Sequence, residues 1–164
     1  MQANDEILTQ AKQLISREIT LCKTLRAMIS RELEAIALDG DTDELFRLAP
    51  KKDEIISQLQ LLADSWRDLF YRSELFESLE PLNNLSDDNN AGFGAKILAL
   101  YPDDSELLAL VQETRKISED IISAQNEAIN QLKQHSDGLR SKISERKAMH
   151  RAAARYSRMG GAFY

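Results

Sequence analysis

The chain is poor in everything that would give it chemistry or a complicated fold. Cys22 is its one cysteine, which excludes an internal disulfide and any Cys-rich zinc site. Three prolines and six glycines in 164 residues leave few places to break a helix. Aromatics are few, at 6%. No apolar run approaches the ~20 residues of a membrane span, so no stable membrane insertion is expected. The opening Met-Gln-Ala-Asn-Asp-Glu has neither a basic start nor a continuous apolar run, so no signal peptide is read there. The expected setting is cytoplasmic and reducing.

What remains is Leu, Ile, Ala, Glu, Lys, Gln and Ser, the composition of an all-α protein. The length fits one domain spanning residues 1–164. The net charge of −6 is unevenly placed. Residues 140–164 hold seven Lys/Arg against Glu145 alone, a net +6, which leaves −12 for residues 1–139.

Apolar residues recur at helical spacing from Ile7 through Ala11, Ile15, Ile19, Leu25 and Ile29 to Ile36. Asn4 or Asp5 can cap this run. The stripe is wider than a two-stranded seam and implies at least two packing neighbours. Asp39-Gly40-Asp41-Thr42 closes the helix and starts the next, so the two form an antiparallel hairpin. The second helix, Asp43 to about Ser78, carries Leu45, Leu48, Ile55, Leu59, Leu62, Trp66, Leu69 and Phe76, interrupted at Lys52 and Ser73. Pro50 is expected to kink or restart it. Trp66 reads as a core anchor and Arg67 as solvated. Lys52 reads most simply as a snorkelling side chain; pairing with an acid such as Glu32 across the hairpin is the alternative.

Residues 80–94 lose all periodicity and read as a loop, with Ala95 to Tyr101 a short helix stopped by Pro102. From Asp104 to Tyr156 there is no proline, and Gly138 is the one glycine. Asp103, Asp104 or Ser105 caps this run. Its first part places Leu107, Leu108, Val111, Ile117, Ile121, Ala124, Ala128, Ile129 and Leu132 at helical spacing. Ser136-Asp137-Gly138 is equally a turn, but a continuous helix, bent there or not, is favoured. The predicted fold is an all-α antiparallel bundle of three long helices, four if the last breaks near Gly138, plus a short connecting helix. The last helix outreaches the others by about 20–25 Å. Its basic end, within residues 140–164, therefore either projects or folds back on the acidic body.

Catalysis has no residues to stand on. There is no Gly-rich phosphate loop, nucleophile elbow or convergent set of acids. His135 and His150 lack an acid or cysteine at the i+4 ligand spacing. Asp87 and Asp88 do not have EF-hand spacing. The expectation is no enzyme, no cofactor and no metal. Nucleic acid is also an unsuited partner: only Tyr156 lies near the alternating Arg and Ala, so no stacking platform exists, and the acidic body repels phosphate. The arm instead carries sparse apolar residues that it cannot bury alone. Leu132, Leu139, Ile143, Met149 and Tyr156, flanked by Arg146 and Arg151, form the candidate partner-binding set.

Several of these positions resemble a known family. Glu32-Leu-Glu34-Ala35-Ile36, Gly40-Asp41, Leu45, Leu48, Lys52, Ile55-Ile56, Leu59, Leu62 and Arg67 are similar to the FlgN-type flagellar export chaperones. So are Ile97 to Tyr101 before Pro102, the Asn126, Asn130 and Leu132 pattern, and Tyr156 with Gly160. The turn here is one residue longer than the family's, and Pro50 departs from it. The resemblance implies a cytosolic chaperone of flagellar type III export. Its partners would be the hook-associated (hook-filament junction) proteins, whose terminal helix it keeps export-competent, and the flagellar export gate. The family's contact segment maps onto Leu132 to Tyr156. The alternative is a self-associating scaffold module without a client.

Overall fold

The computed structural model describes residues 2–38, 42–72 and 92–160, with side chains for 4–38, 42–72 and 92–155. It contains α1 (Gln2–Ala37), α2 (Thr42–Arg72), α3 (Phe93–Leu100) and α4 (Ser105–Gly160). No strand occurs among the described residues. The architecture is the expected all-α bundle of three long helices and one short one. The turn residues Asp39 to Asp41, most of the expected loop, and Ser73 and Phe76 lie outside the described residues.

The centre of the bundle is α1. It packs along α2 on one side and α4 on the other, while α2 and α4 barely meet. The breadth of its apolar stripe is the cause: Ala11, Ile15, Ile19, Leu21, Cys22, Leu25, Ile29 and Ile36 are all buried, more than one helical neighbour can cover. Each large aliphatic side chain so buried contributes about 1.5–3 kcal/mol. One cluster joins Ile15 and Ile19 to Trp66, Leu69, Phe70, Ile97 and Leu107. A second joins Leu25 and Ile29 to Ala124, with Ile55, Leu59 and Ile121 packed around it. Trp66 is the anchor its position suggests. Its ring stacks on Phe93 with centroids 5.9 Å apart, and Phe70 closes the group at 5.5 Å from Phe93.

Three sequence expectations are corrected. Asn4 and Asp5 lie inside the first helical turns, because α1 starts at Gln2. Helix α2 continues through Pro50 without restarting. The proline is the ninth residue of that helix, on its exposed side, where the carbonyl it leaves unbonded can meet water. Phe93 and Gly94 belong to α3 rather than to the loop. A Cβ on Gly94 would sit 3.4 Å from Val111 Cγ2 and 3.5 Å from Ile15 Cδ1, ordinary contact distances, so the packing of α3 against α1 and α4 does not demand glycine there.

Ion pairs fix the register of α4 on α1. Lys12 Nζ lies 2.7 Å from Glu106 and 2.9 Å from Asp104. Lys23 pairs with Glu113 at 2.7 Å, and Arg26 donates to Asp120 at 2.8 Å. The separation in sequence is 94 residues at both Lys12–Glu106 and Arg26–Asp120. So α4 runs parallel to α1 and antiparallel to α2. Asp104 is the cap: its Oδ1 accepts the Leu107 amide at 2.8 Å. That amide first, and the Lys12 ammonium second, hold the Asp104 carboxyl below the usual carboxylate range.

Candidate partner-binding arm

The same register places Ala37, the end of α1, level with Gln131 of α4. Gln131 is also the last residue of α4 that is not fully exposed; residues 132–155 are exposed without exception. Helix α4 nevertheless continues to Gly160. Residues 132–160 thus form an arm roughly 43 Å long. Helix lengths alone gave half that overhang. The difference arises at the other end: α3 occupies the base, so Ser105 starts level with Ala11 rather than with Gln2. The arm projects and does not fold back on the acidic body.

Ser136, Asp137 and Gly138 sit inside an unbroken helix. A Cβ at Gly138 would meet nothing within 4 Å, so no packing demand explains the glycine.

Leu132, Leu139 and Ile143 are 45%, 50% and 53% exposed and share one face, since seven and then four residues separate them. Met149 is 72% exposed and lies about 120° around the helix from Ile143, at about 100° per residue, so the arm's apolar candidates do not form a single stripe. Arg146 borders the Leu132–Ile143 face on one side. Lys133, Arg140, Lys147 and Arg151 form a row along the other. Among the described residues, no ion pair involves a cation beyond Arg115 in sequence. The arm's positive charge is therefore available to a partner. Tyr156 lies within the helical span, but its side chain is outside the described residues.

Leu132 also belongs, with Leu108 and Ile129, to the helical apolar pattern read from the sequence. All three are exposed. The core line of α4 follows Ile121, Ala124 and Ala128, the face turned to α1, and these residues lie beside that line rather than on it. Ile122, on the same outer side, is likewise exposed.

The alternative reading of Lys52 is the one the structure adopts. Its ammonium lies 2.8 Å from Glu32 Oε2 and 3.0 Å from Oε1, and it donates to Gln125 Oε1 at 3.2 Å. The Lys52 and Glu32 side chains are only 15% and 13% exposed. This cluster ties α1, α2 and α4 together just below the root of the arm. Spacing suggested Glu32; nothing in the sequence pointed to Gln125, because the contact crosses from α2 to α4. Elsewhere, burial pushes the Glu18 carboxyl and the Cys22 thiol above their ordinary values, and Cys22 is the small core residue its position suggests.

No group of three or more His, Cys, Asp or Glu among the described residues is placed to hold a metal ion. No described helix is long and apolar enough to cross a membrane. No buried side-chain nitrogen or oxygen among the described residues lacks a hydrogen-bond partner. The class of molecule so defined is a three-helix bundle extended by an uncovered, cationic helical arm. No family model, curated protein or solved structure matches the chain.

Proposed function

We propose that the protein is a cytosolic, non-enzymatic export chaperone of the flagellar type III pathway. It binds the terminal helical segment of a hook-associated (hook-filament junction) protein and keeps it export-competent, and the same arm meets the export gate. The single observation that supports this reading is the arm. From Leu132 to Arg155 a continuous helix offers apolar side chains to nothing of its own and carries positive charge without partners.

An amphipathic client helix laid along Leu132, Leu139 and Ile143 buries those side chains from water. Three or four such anchors, at about 1.5–3 kcal/mol each, offset the ordering of a disordered segment. Arg146 and the row Lys133, Arg140, Lys147 and Arg151 favour a client with acidic flanks and speed its capture. The residue pattern shared with the FlgN-type chaperones supplies the choice of pathway.

The test removes residues 140–164 and measures binding of the terminal segment of a hook-associated protein by calorimetry. Loss of binding, with helical circular dichroism retained per residue, is expected. Unchanged affinity would remove the arm as the site.

A further inference from the structure

The exposed apolar residues of α4 on its outer side are not confined to the arm. Ile122, Ile129, Leu132, Leu139 and Ile143 are separated by seven, three, seven and four residues. That is a heptad seam with Ile122, Ile129 and Ile143 at the first core position and Leu132 and Leu139 at the fourth. It starts within the bundle and runs into the arm, with Gln125 and Ser136 as its two polar members. It is a different line from Ile121, Ala124 and Ala128, which α1 covers.

We infer that the occupant of this seam is the same seam of a second copy, paired antiparallel. The spacing from Ile122 to Leu139 is its own complement, with Gln125 then meeting the partner's Ser136 and Ile143 meeting the partner's Ser118. Aligning Ile122 with the partner's Leu139 brings Ile129 onto the partner's Leu132, and the two-fold relation repeats both pairs. Each first-position isoleucine then meets a fourth-position leucine, and every member of the four apolar layers already stands exposed in the single chain. The self-complementary match is what a closed two-fold dimer requires.

Charge selects the direction. Along the flank of the seam, Glu119 lies toward the bundle, while Lys133, Arg140 and Lys147 lie toward the tip. Antiparallel pairing sets Glu119 against the partner's Arg140 and Lys147. In the single chain Glu119 is engaged only by the exposed Arg115, at 3.2 Å within the same helix. Parallel pairing would set Lys147 against the partner's Lys142, where like charges repel.

The bundle leaves room for this arrangement. Helices α2 and α4 make few contacts with each other. Lys52 and Gln125 bridge them at 3.2 Å. Exposed Ile56 lies one turn from Lys52 on α2, near the level of Ile122. The partner's arm would lie beside α2 along the seam, and each arm would flank the other molecule's acidic body. The inference stands without the client reading; if both hold, client and second copy compete for Leu132 and Leu139.

Sedimentation equilibrium on the full-length, client-free chain is the first test. A dimer is expected, and Leu132→Asp with Leu139→Asp is expected to return it to monomer. Because both residues lie outside the core, circular dichroism of the variant serves as the folding control. The second test mixes Ile122→Cys and Leu139→Cys proteins, each with Cys22→Ala, under mild oxidation. The mixed disulfide is expected, with little self-linking of Leu139→Cys alone. A chain monomeric at every concentration, a dimer insensitive to the double aspartate, or self-linked Leu139→Cys in place of the mixed product would each overturn the inference.

Discussion

Glu32, Lys52 and Gln125 show how much one polar cluster contributes at the top of the bundle. Lys52 stands at a position where the α2 stripe calls for an aliphatic residue, and it is accommodated only because Glu32 and Gln125 both accept from it. Removing one partner leaves a largely buried ammonium half satisfied. Glu32→Ala is expected to lower stability by about 1–3 kcal/mol in urea unfolding. Lys52→Met combined with Glu32→Leu is expected to restore most of it, because an apolar pair of similar size carries no desolvation cost. If the double variant is as unstable as the single one, the cluster is not a charge pair held against desolvation.

At the scale of the element, α4 behaves as two helices in one. Up to Gln131 it is a bundle helix, held by burial and by ion pairs to α1; beyond that residue only its own backbone ladder and side-chain propensities maintain it. An exposed glycine in such a stretch is expensive, and Gly138 has empty space around its Cα. Gly138→Ala is expected to stabilise the arm helix by about 1 kcal/mol. Amide hydrogen exchange around residues 134–142 would slow accordingly, with no change in the protection of α1. Unaltered exchange there would mean that something other than intrinsic propensity maintains the arm.

Over the whole molecule the charge is segregated, acid on the bundle and base on the arm. Under the chaperone reading this makes capture of an acidic client sensitive to salt. Arg146→Glu with Arg151→Glu is expected to slow association several-fold at low ionic strength and to change dissociation less. Stopped-flow mixing with a labelled client segment from 0.02 to 0.5 M salt, about a fivefold change in Debye length, reads the effect. A rate indifferent to both salt and charge reversal would leave the apolar face as the sole determinant of capture.

The helices themselves were legible from the pattern of apolar residues. Ala11, Ile15, Ile19, Leu25 and Ile29 fix α1 as a helix with two neighbours because a stripe so wide has no other way to leave water. The absence of proline after Pro102, and Asp104 at the cap, fix the start and the unusual length of α4. The charge asymmetry and the apolar side chains of the arm were equally visible. What the sequence could not determine was register. Periodicity says which residues share a face, but not how far one helix slides along another. It therefore put Leu108, Ile129 and Leu132 in one pattern with the buried Ala124 and Ala128 and halved the length of the arm. Only the packed structure, with α3 filling the base and Lys12 and Arg26 locking α4 in place, decides where α1 stops covering α4. Contacts between residues far apart in the chain carry that information, and no local spacing encodes it.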